Sequence, residues 1–394
     1  MIGTDDAPLE HNSRVAPVPW RLNTQPSERM VVVTVDGVAM DHLARRDRLR
    51  AALPGEIQAL LVSNPSNVRY LSGFTGSNGS LLICADPTLD RLATDFRYVT
   101  QCASQCPDLE LVVDRAMMAA LLNFRVAAGV GQVGFEAQHV TVADHGTLQA
   151  IAPLMPTVGL VEGLRLVKDE VELALLAEAC RLTDAALAQL ISEVRVGQTE
   201  RQIARRLDFL MLELGATAVS FDTIVAAGPN SAIPHHSPTD REVAAGDFLK
   251  IDFGAEYAGY HADETRTFVV GAPPADWQVA IYDLVRQAQA AGVAALAVGA
   301  ELTVVDAAAR SIIVTAGHGE HFGHGLGHGV GLDIHEAPLI GYATAGSLSD
   351  CTPVTVEPGV YLPGRGGVRI EDTLVVRPGG PESLTTTTRD LLVL

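Results

Sequence analysis

The sequence predicts two domains of different class, an α/β domain over residues 39–163 and an α+β domain over 164–394. Three observations predict this. At 394 residues the chain exceeds what one ordinary hydrophobic core organises. Between about residues 40 and 160, short apolar runs alternate with helical stretches, the pattern of a sheet covered on its faces. Beyond Val161–Lys168 (VEGLRLVK), the expected junction, the pattern becomes long amphipathic helices and glycine-centred hairpins.

Taken in order, residues 1–38 open with Pro8, Pro17, Pro19 and Pro26 among mixed charges and contain no apolar stretch of the signal-peptide kind. They are expected to form a disordered tail, although Met30–Val38 (MVVVTVDGV) turns apolar and Met30 is a conceivable alternative start. Asp41–Leu53 reads as a helix, Ala59–Ser63 as a buried strand and Asn64-Pro65 as a turn. Gly79–Ile83, Leu109–Val113 and Val133–Phe135 read as strands, with a helix over Ala116–Ala128. In Asp169–Val194, Leu175, Ala179, Leu182, Ala186 and Leu190 recur on one helical face, with Glu170, Glu172, Glu178 and Arg181 outside it. A second helix runs from its N-cap Thr199 to about Leu214, stopped by Gly215, and a third covers Asp276–Val298.

The formal charge of −19 would repel nucleic acid and anionic membranes rather than bind them. With 47% hydrophobic and 19% charged residues the composition is globular. The most apolar later run, Ala290–Ala300, is too short to span a bilayer. Five cysteines (Cys84, Cys102, Cys106, Cys180, Cys351) are too few and too odd in number for a disulfide scaffold, which points to a reducing cytoplasm. Cys102 and Cys106 have no second pair to complete a zinc site and read as ordinary thiols.

Candidate chemistry concentrates in three places. The stretch His324–Pro338 (HGLGHGVGLDIHEAP) interleaves three histidines with four glycines, which reads as backbone wrapped closely around a site, against the plainer alternative of a histidine-rich surface loop. Phe248–Gly254 (FLKIDFG) alternates as a strand, with Leu249, Ile251 and Phe253 on one face and Lys250 and Asp252 on the other. A turn at Ala258-Gly259 would bring Asp263 roughly opposite Asp252 on that face. Around the Gly364–Gly367 turn, Glu357 and Glu371 would meet likewise, with Arg369 beside Glu371. Paired carboxylates repel unless a cation lies between them or solvent bathes them. Two Asp, two Glu and one His suit two divalent ions of the Mn, Co, Fe or Zn kind, which could share carboxylates and a bridging hydroxide that attacks a carbonyl.

Six segments carry a resemblance: Gly228–Pro238 (GPNSAIPHHSP), Ile251–Gly254 (IDFG), His261–Thr267 (HADETRT), His324–Pro338, Glu357–Tyr361 (EPGVY) and Val368–Thr373 (VRIEDT). Together, and in this order, they resemble the prolidase, Xaa-Pro aminopeptidase and creatinase family of pita-bread metallopeptidases. Residues 64–79 (NPSNVRYLSGFTGSNG) resemble its N-terminal domain. The resemblance implies a ribonuclease H-like domain of creatinase type ahead of a pita-bread catalytic domain. It implies that Asp252 binds one metal, that Asp263 and Glu371 bridge both, and that His328 and Glu357 complete the other, with Mn2+ the expected ion and Co2+, Fe2+ or Zn2+ the alternatives. His235 and His335 match the two histidines around the scissile bond, with His235 preferred over His236, which reads as a partly exposed loop residue. His324 and Arg369 match positions behind the ligands, and Tyr361 a site-lining one.

The implied activity is removal of an N-terminal residue that precedes proline, from peptides or dipeptides, by a homodimer or larger homo-oligomer in the cytoplasm. Such a bond lacks an N–H, so peptidases that grip that proton handle it poorly. Glu357 is the candidate proton shuttle. Methionine aminopeptidases share the ligands but lack the first domain, and creatinase lacks the metal site. The rival from a different class is a metal-free binding or chaperone-like protein on the same fold, which would be expected to have broken ligand sets. An aminopeptidase of other specificity is the further alternative.

Overall fold

The structure, a computed structural model, describes residues 34–35 and 38–394, with side chains from Met40 onward. Most of the tail expected over 1–38 lies outside the described residues. Its end departs from expectation, because Thr34–Val35 pairs antiparallel with Val38–Ala39.

The first half is a mixed six-stranded sheet. Across it run Glu110–Val113, Arg91–Thr94, Gly79–Cys84, Ala59–Val62, Val133–Glu136 and Leu154–Thr157. Gly79–Cys84 is antiparallel to both neighbours, and the other ladders are parallel. All four expected strands are present, as are the helices His42–Ala52 and Met117–Ala128. The strands at Arg91–Thr94 and Leu154–Thr157 are additional; the second contains Pro156, which only an edge position tolerates.

Asn64-Pro65 is a helix start rather than a turn. The Asn64 side chain accepts from the amides of Ser66 and Asn67, Pro65 occupies the first turn where its missing N–H costs nothing, and the helix Pro65–Ser72 ends at Gly73.

In the second half, Glu170–Glu193 begins with a reciprocal cap between Asp169 and Glu172, and Glu200–Glu213 with the same device between Thr199 and Gln202. Glu172 is not on a solvent face as its spacing suggests: it is buried, accepts from the Tyr260 hydroxyl at 2.9 Å and lies 3.1 Å from the Arg45 guanidinium. The third helix, Asp276–Ala294, ends short of the expected Val298 and is succeeded by Leu302–Thr315. Among the described residues no helix is long and apolar enough to cross a membrane.

Three antiparallel sheets carry the site. Phe248–Phe253 lies between Ile224–Ala227 and Glu264–Val269. Gly327–Gly329 lies between Glu336–Ile340 and Thr352–Val356, which pairs in turn with Asp372–Val376. Gly359–Leu362 pairs with Gly366–Arg369. Helices pack on these sheets through Val285, Ala288, Val305 and Ala309, against Val354, Val356, Val360 and Val368. A separate apolar cluster joins Leu60, Val62 and Leu71 of the first half to Leu175, Leu176, Tyr260 and Val375 of the second.

Candidate metal centre

The turn at Ala258-Gly259 has positive φ at both residues, 48° and 83°, as a two-residue hairpin of primed type requires. It sets Asp252 opposite Thr265, not opposite Asp263. Asp263 lies two positions along the partner strand, so the two carboxylates share a face diagonally. Lys250 shares it too, but this face is buried rather than solvated.

The ladder Thr352–Val356 with Asp372–Val376 and the ladder Gly359–Leu362 with Gly366–Arg369 keep one register across the break between them. That register brings Glu357 and Glu371 to the same level. His328 enters from the strand Gly327–Gly329, and the glycines on either side of it are obligatory. A Cβ on Gly327 would lie 2.0 Å from the Thr355 carbonyl oxygen, and one on Gly329 would lie 2.2 Å from that of Ala337. Around His328 the glycine-rich run is therefore strand backbone pressed between two neighbours, not a surface loop.

Ligand atoms of Asp263, His328 and Glu371 lie within 4.8 Å of one another. The His328 Nε2 is 3.5 Å from Asp263 Oδ2 and 3.4 Å from Glu357 Oε1. Asp252, Asp263, His328, Glu357 and Glu371 line one cavity of about 1160 Å³, together with His235, His236, His324, His335 and Arg369.

Neighbouring donors fix one oxygen of each oriented carboxylate and leave the other for a ligand. Arg369 Nη2 donates to Asp252 Oδ2, while Asp252 Oδ1 is buried without a hydrogen-bond partner among the described residues. The Thr265 hydroxyl donates to Glu371 Oε2 and accepts from Arg369 Nε at 3.0 Å. The Thr355 hydroxyl donates to Glu357 Oε1 at 3.3 Å and accepts from the His328 amide at 3.0 Å. The His328 Nδ1–H donates to the Gly329 carbonyl at 3.0 Å, which turns Nε2 toward the carboxylates.

The electrostatics call for a cation. Burial and the charges of Asp263, Glu357 and Asp252 push the Glu371 carboxyl well above its ordinary range. Burial raises Glu357 to about 7 against the opposing charge of His328. Burial raises Asp263 to about 6, although a hydrogen bond from His328 opposes it. Burial would lower His328, but Asp263 and Glu357 outweigh it and raise the imidazole to about 9. A buried carboxylate cluster with one imidazole and an orphaned oxygen is a donor set that divalent cations of the harder and borderline kinds satisfy.

The remaining expected residues occupy distinct places. His235 and His335 are exposed at the cavity, with the His335 ring edge-on to that of His328 at 4.4 Å between centroids. His236 is not a partly exposed loop residue: it is buried and its Nε2 lies 2.8 Å from Glu200 Oε2. Tyr361, expected to line the site, lies one layer behind the wall. Its hydroxyl accepts from Arg369 Nη1 at 2.9 Å and donates to His324 Nε2 at 2.9 Å. Burial, and then the charge of Arg369, push His324 down to about 3, so its ring is neutral and accepts that proton while Nδ1–H donates to the Gly325 carbonyl.

Sequence reasoning misses Thr265 and Thr355, and it places Lys250 beside Asp252 without giving it a role. Alternation could have found the two threonines, since each lies two residues from an expected ligand on the same strand face, Thr265 from Asp263 and Thr355 from Glu357. Lys250 Nζ donates to the carbonyls of Ile233 and Pro234 at 2.6 and 3.2 Å, which anchors the segment leading to His235. Only the fold brings these together.

Comparison with known proteins places these elements. The model of metallopeptidase family M24 matches residues 174–378, and that of the creatinase/prolidase N-terminal domain matches 45–167. The uncharacterized peptidase YqhT of Bacillus subtilis is 37% identical over 86% of this chain and 96% of its own length. Among solved structures, an Xaa-Pro dipeptidase from Bacillus anthracis is 38% identical with a TM-score of 0.87, covering 90% of this chain and 100% of that one. An X-Pro aminopeptidase from Thermotoga maritima is 34% identical with a TM-score of 0.81, covering 89% of this chain and 100% of that one.

Proposed function

Because the chain belongs to metallopeptidase family M24 and has a creatinase/prolidase N-terminal domain ahead of a pita-bread catalytic domain, we propose that it hydrolyses the bond between an N-terminal residue and a following proline. The observation that carries this reading is the convergence of five buried or part-buried ligand side chains, from three separated stretches of sequence, on one cavity. Asp252 would hold one divalent cation, His328 and Glu357 a second, and Asp263 and Glu371 both. Mn2+ is the favoured ion. When bound, such ions supply Lewis-acid polarisation of the scissile carbonyl and an acidified water as nucleophile.

The chain's own groups do the rest. Arg369 holds Asp252 by one oxygen and, through Tyr361, fixes His324 in the tautomer that cannot donate from Nε2. His235 and His335 face the cavity with their rings accessible, so they are the groups that can donate to the carbonyl oxygen as charge develops on it. Glu357, on the cavity wall beside His328, is assigned the transfer of a proton to the departing proline nitrogen, which has none of its own. Ile233, Leu339 and Tyr342 give the same cavity an apolar rim against which a pyrrolidine ring can pack.

The reading extends to a cytoplasmic homodimer or larger assembly, a compartment supported by five cysteines that are all free thiols. Its test is a substrate series on protein reconstituted with Mn2+ or Co2+: an Xaa-Pro dipeptide, an Xaa-Pro-Yaa tripeptide and the same peptides with alanine for proline. The proline peptides are expected to be cleaved and the alanine peptides not. Equal cleavage of both removes the specificity. Glu357→Gln carried through the same assay is expected to abolish turnover, and full turnover with both metals retained removes its assigned role.

A further inference from the structure

The segment Gly331–Glu336 carries His335 to the cavity, yet His335 itself is exposed, with its ring edge-on to that of His328. The segment is held on either side of Ile334-His335, where Asp333 and Glu336 both turn away from the cavity toward a single guanidinium. Arg165 Nη2 is 2.6 Å from Asp333 Oδ2 and 2.6 Å from Glu336 Oε2. The Ser66 hydroxyl donates to the other oxygen of Asp333, and Lys168 Nζ is 3.1 Å from Glu336 Oε1. The Glu336 carboxylate folds so closely over Gly331 that a Cβ there would lie 1.8 Å from its Oε1. The two ends of the His335 segment are thereby clamped to one point.

That point lies within residues 45–167, the stretch that matches the creatinase/prolidase N-terminal domain and extends two residues past Arg165. Arg165 is buried and ends the helix Leu160–Arg165, and its Nη1 donates to Asn67 Oδ1 at 2.8 Å. The Asn67 Nδ2 donates in turn to Glu136 at 2.7 Å, at the end of an interior strand of the six-stranded sheet, and to Glu162 at 2.7 Å. Glu136 also accepts from the amides of Ser63 and Asn64. An unbroken run of hydrogen bonds thus leads from that sheet to the residues flanking His335.

We propose that Arg165 is a positioning residue for His335, and that through it the N-terminal domain sets the geometry of a catalytic histidine in the same chain. The inference rests on the reading that His335 acts on the substrate. Without the guanidinium, Asp333 and Glu336, with two residues between them, lose the one group that binds them both, and Lys168 on Glu336 and Ser66 on Asp333 no longer hold the two ends of the segment to a common point. Lysine at 165 keeps the charge but cannot fork between two carboxylates.

The test is a double-mutant cycle on metal-reconstituted full-length protein with an Xaa-Pro-Yaa peptide. Arg165→Met is expected to lower kcat by roughly tenfold to a hundredfold, the usual cost of losing a supporting hydrogen-bond partner, with metal content unchanged. Arg165→Lys is expected to recover only part of that loss. His335→Ala is expected to be slow, and Arg165→Met added to it is expected to cost no further activity, because the group it positions is gone. If the two losses multiply, Arg165 acts elsewhere and the proposal fails. If His335→Ala is as fast as the parent, the assigned role of His335 fails and this inference falls with it. Should Arg165→Met not fold, Glu336→Gln replaces it in the cycle with the same two expectations.

Discussion

Glu371→Gln is expected to lower peptidase turnover by roughly a thousandfold, the scale of losing a principal electrostatic element of an active site, and at the same time to make the metal-free protein more resistant to heat at pH 8. The two effects have one cause. Glu371 is buried among Asp252, Asp263 and Glu357, and burial with those charges holds its carboxyl far above the ordinary range. In the metal-free protein that carboxyl is a liability at alkaline pH, and a neutral amide of the same shape still accepts from Thr265 while removing the repulsion. With metal present the sign reverses, since the amide is a poor ligand.

The pH dependence arises from the same groups. A carboxyl whose folded pKa is raised destabilises the folded state once the pH exceeds its unfolded value, and the cost is complete above the folded value. For Asp263 and Glu357 those folded values are about 6 and about 7. His328 contributes stability that is fully present below its unfolded pKa and is lost as pH rises through about 9. All three act in one direction, so the midpoint of thermal unfolding of metal-free protein should fall between pH 5 and pH 9. Stabilisation by saturating Mn2+ should grow over the same interval as protons cease to compete for the ligands. Differential scanning calorimetry with and without Mn2+ reads both. A Glu371→Gln protein that is less stable without metal, yet retains turnover, would contradict the ligand assignment.

The second large effect is expected at Arg369. Arg369→Met should lower kcat by about tenfold to a hundredfold, as for other groups that orient metal ligands, and weaken metal binding by a similar factor. The guanidinium donates to Asp252, Thr265 and Tyr361 together, so its loss releases the Asp252 carboxylate, the hydroxyl that orients Glu371 and the hydroxyl that fixes His324. Arg369→Lys should not restore activity, because one ammonium nitrogen cannot reach three partners that Nε, Nη1 and Nη2 of the guanidinium meet separately. Tyr361→Phe separates the branches: it should leave metal affinity near the parent value and lower kcat only modestly. Metal affinity measured by calorimetric titration checks both variants. Parent-like affinity in Arg369→Met would show that Asp252 keeps its place unaided.

The local layer of this fold is legible because its signals are local. Asp169 with Glu172, and Thr199 with Gln202, announce helix starts three residues apart, and both caps form. The carboxylates of Asp252, Asp263, Glu357 and Glu371 are visible in the sequence because two hairpins bring distant positions onto one face by alternation alone. Alternation does not fix register, however, so it suggests Asp263 opposite Asp252 where the Ala258-Gly259 turn places Thr265. Asn64-Pro65 misleads differently, since the same dipeptide starts helices and makes turns, and only the residues after it decide between them. His236 and Glu172 are misplaced for a third reason. Each is a polar residue buried by a partner far along the chain, Glu200 for one and Arg45 with Tyr260 for the other, and no spacing rule reaches that far.

The central claim is that Asp252, Asp263, His328, Glu357 and Glu371 together hold a pair of divalent cations. Anomalous diffraction from crystals of the Mn2+-loaded protein, with metal content determined on the same sample, tests it most directly. The account predicts two anomalous peaks per chain, each within coordination distance of atoms from these five side chains. Saturated protein with no peak at these residues, or with a single ion contacting only some of them, would contradict it.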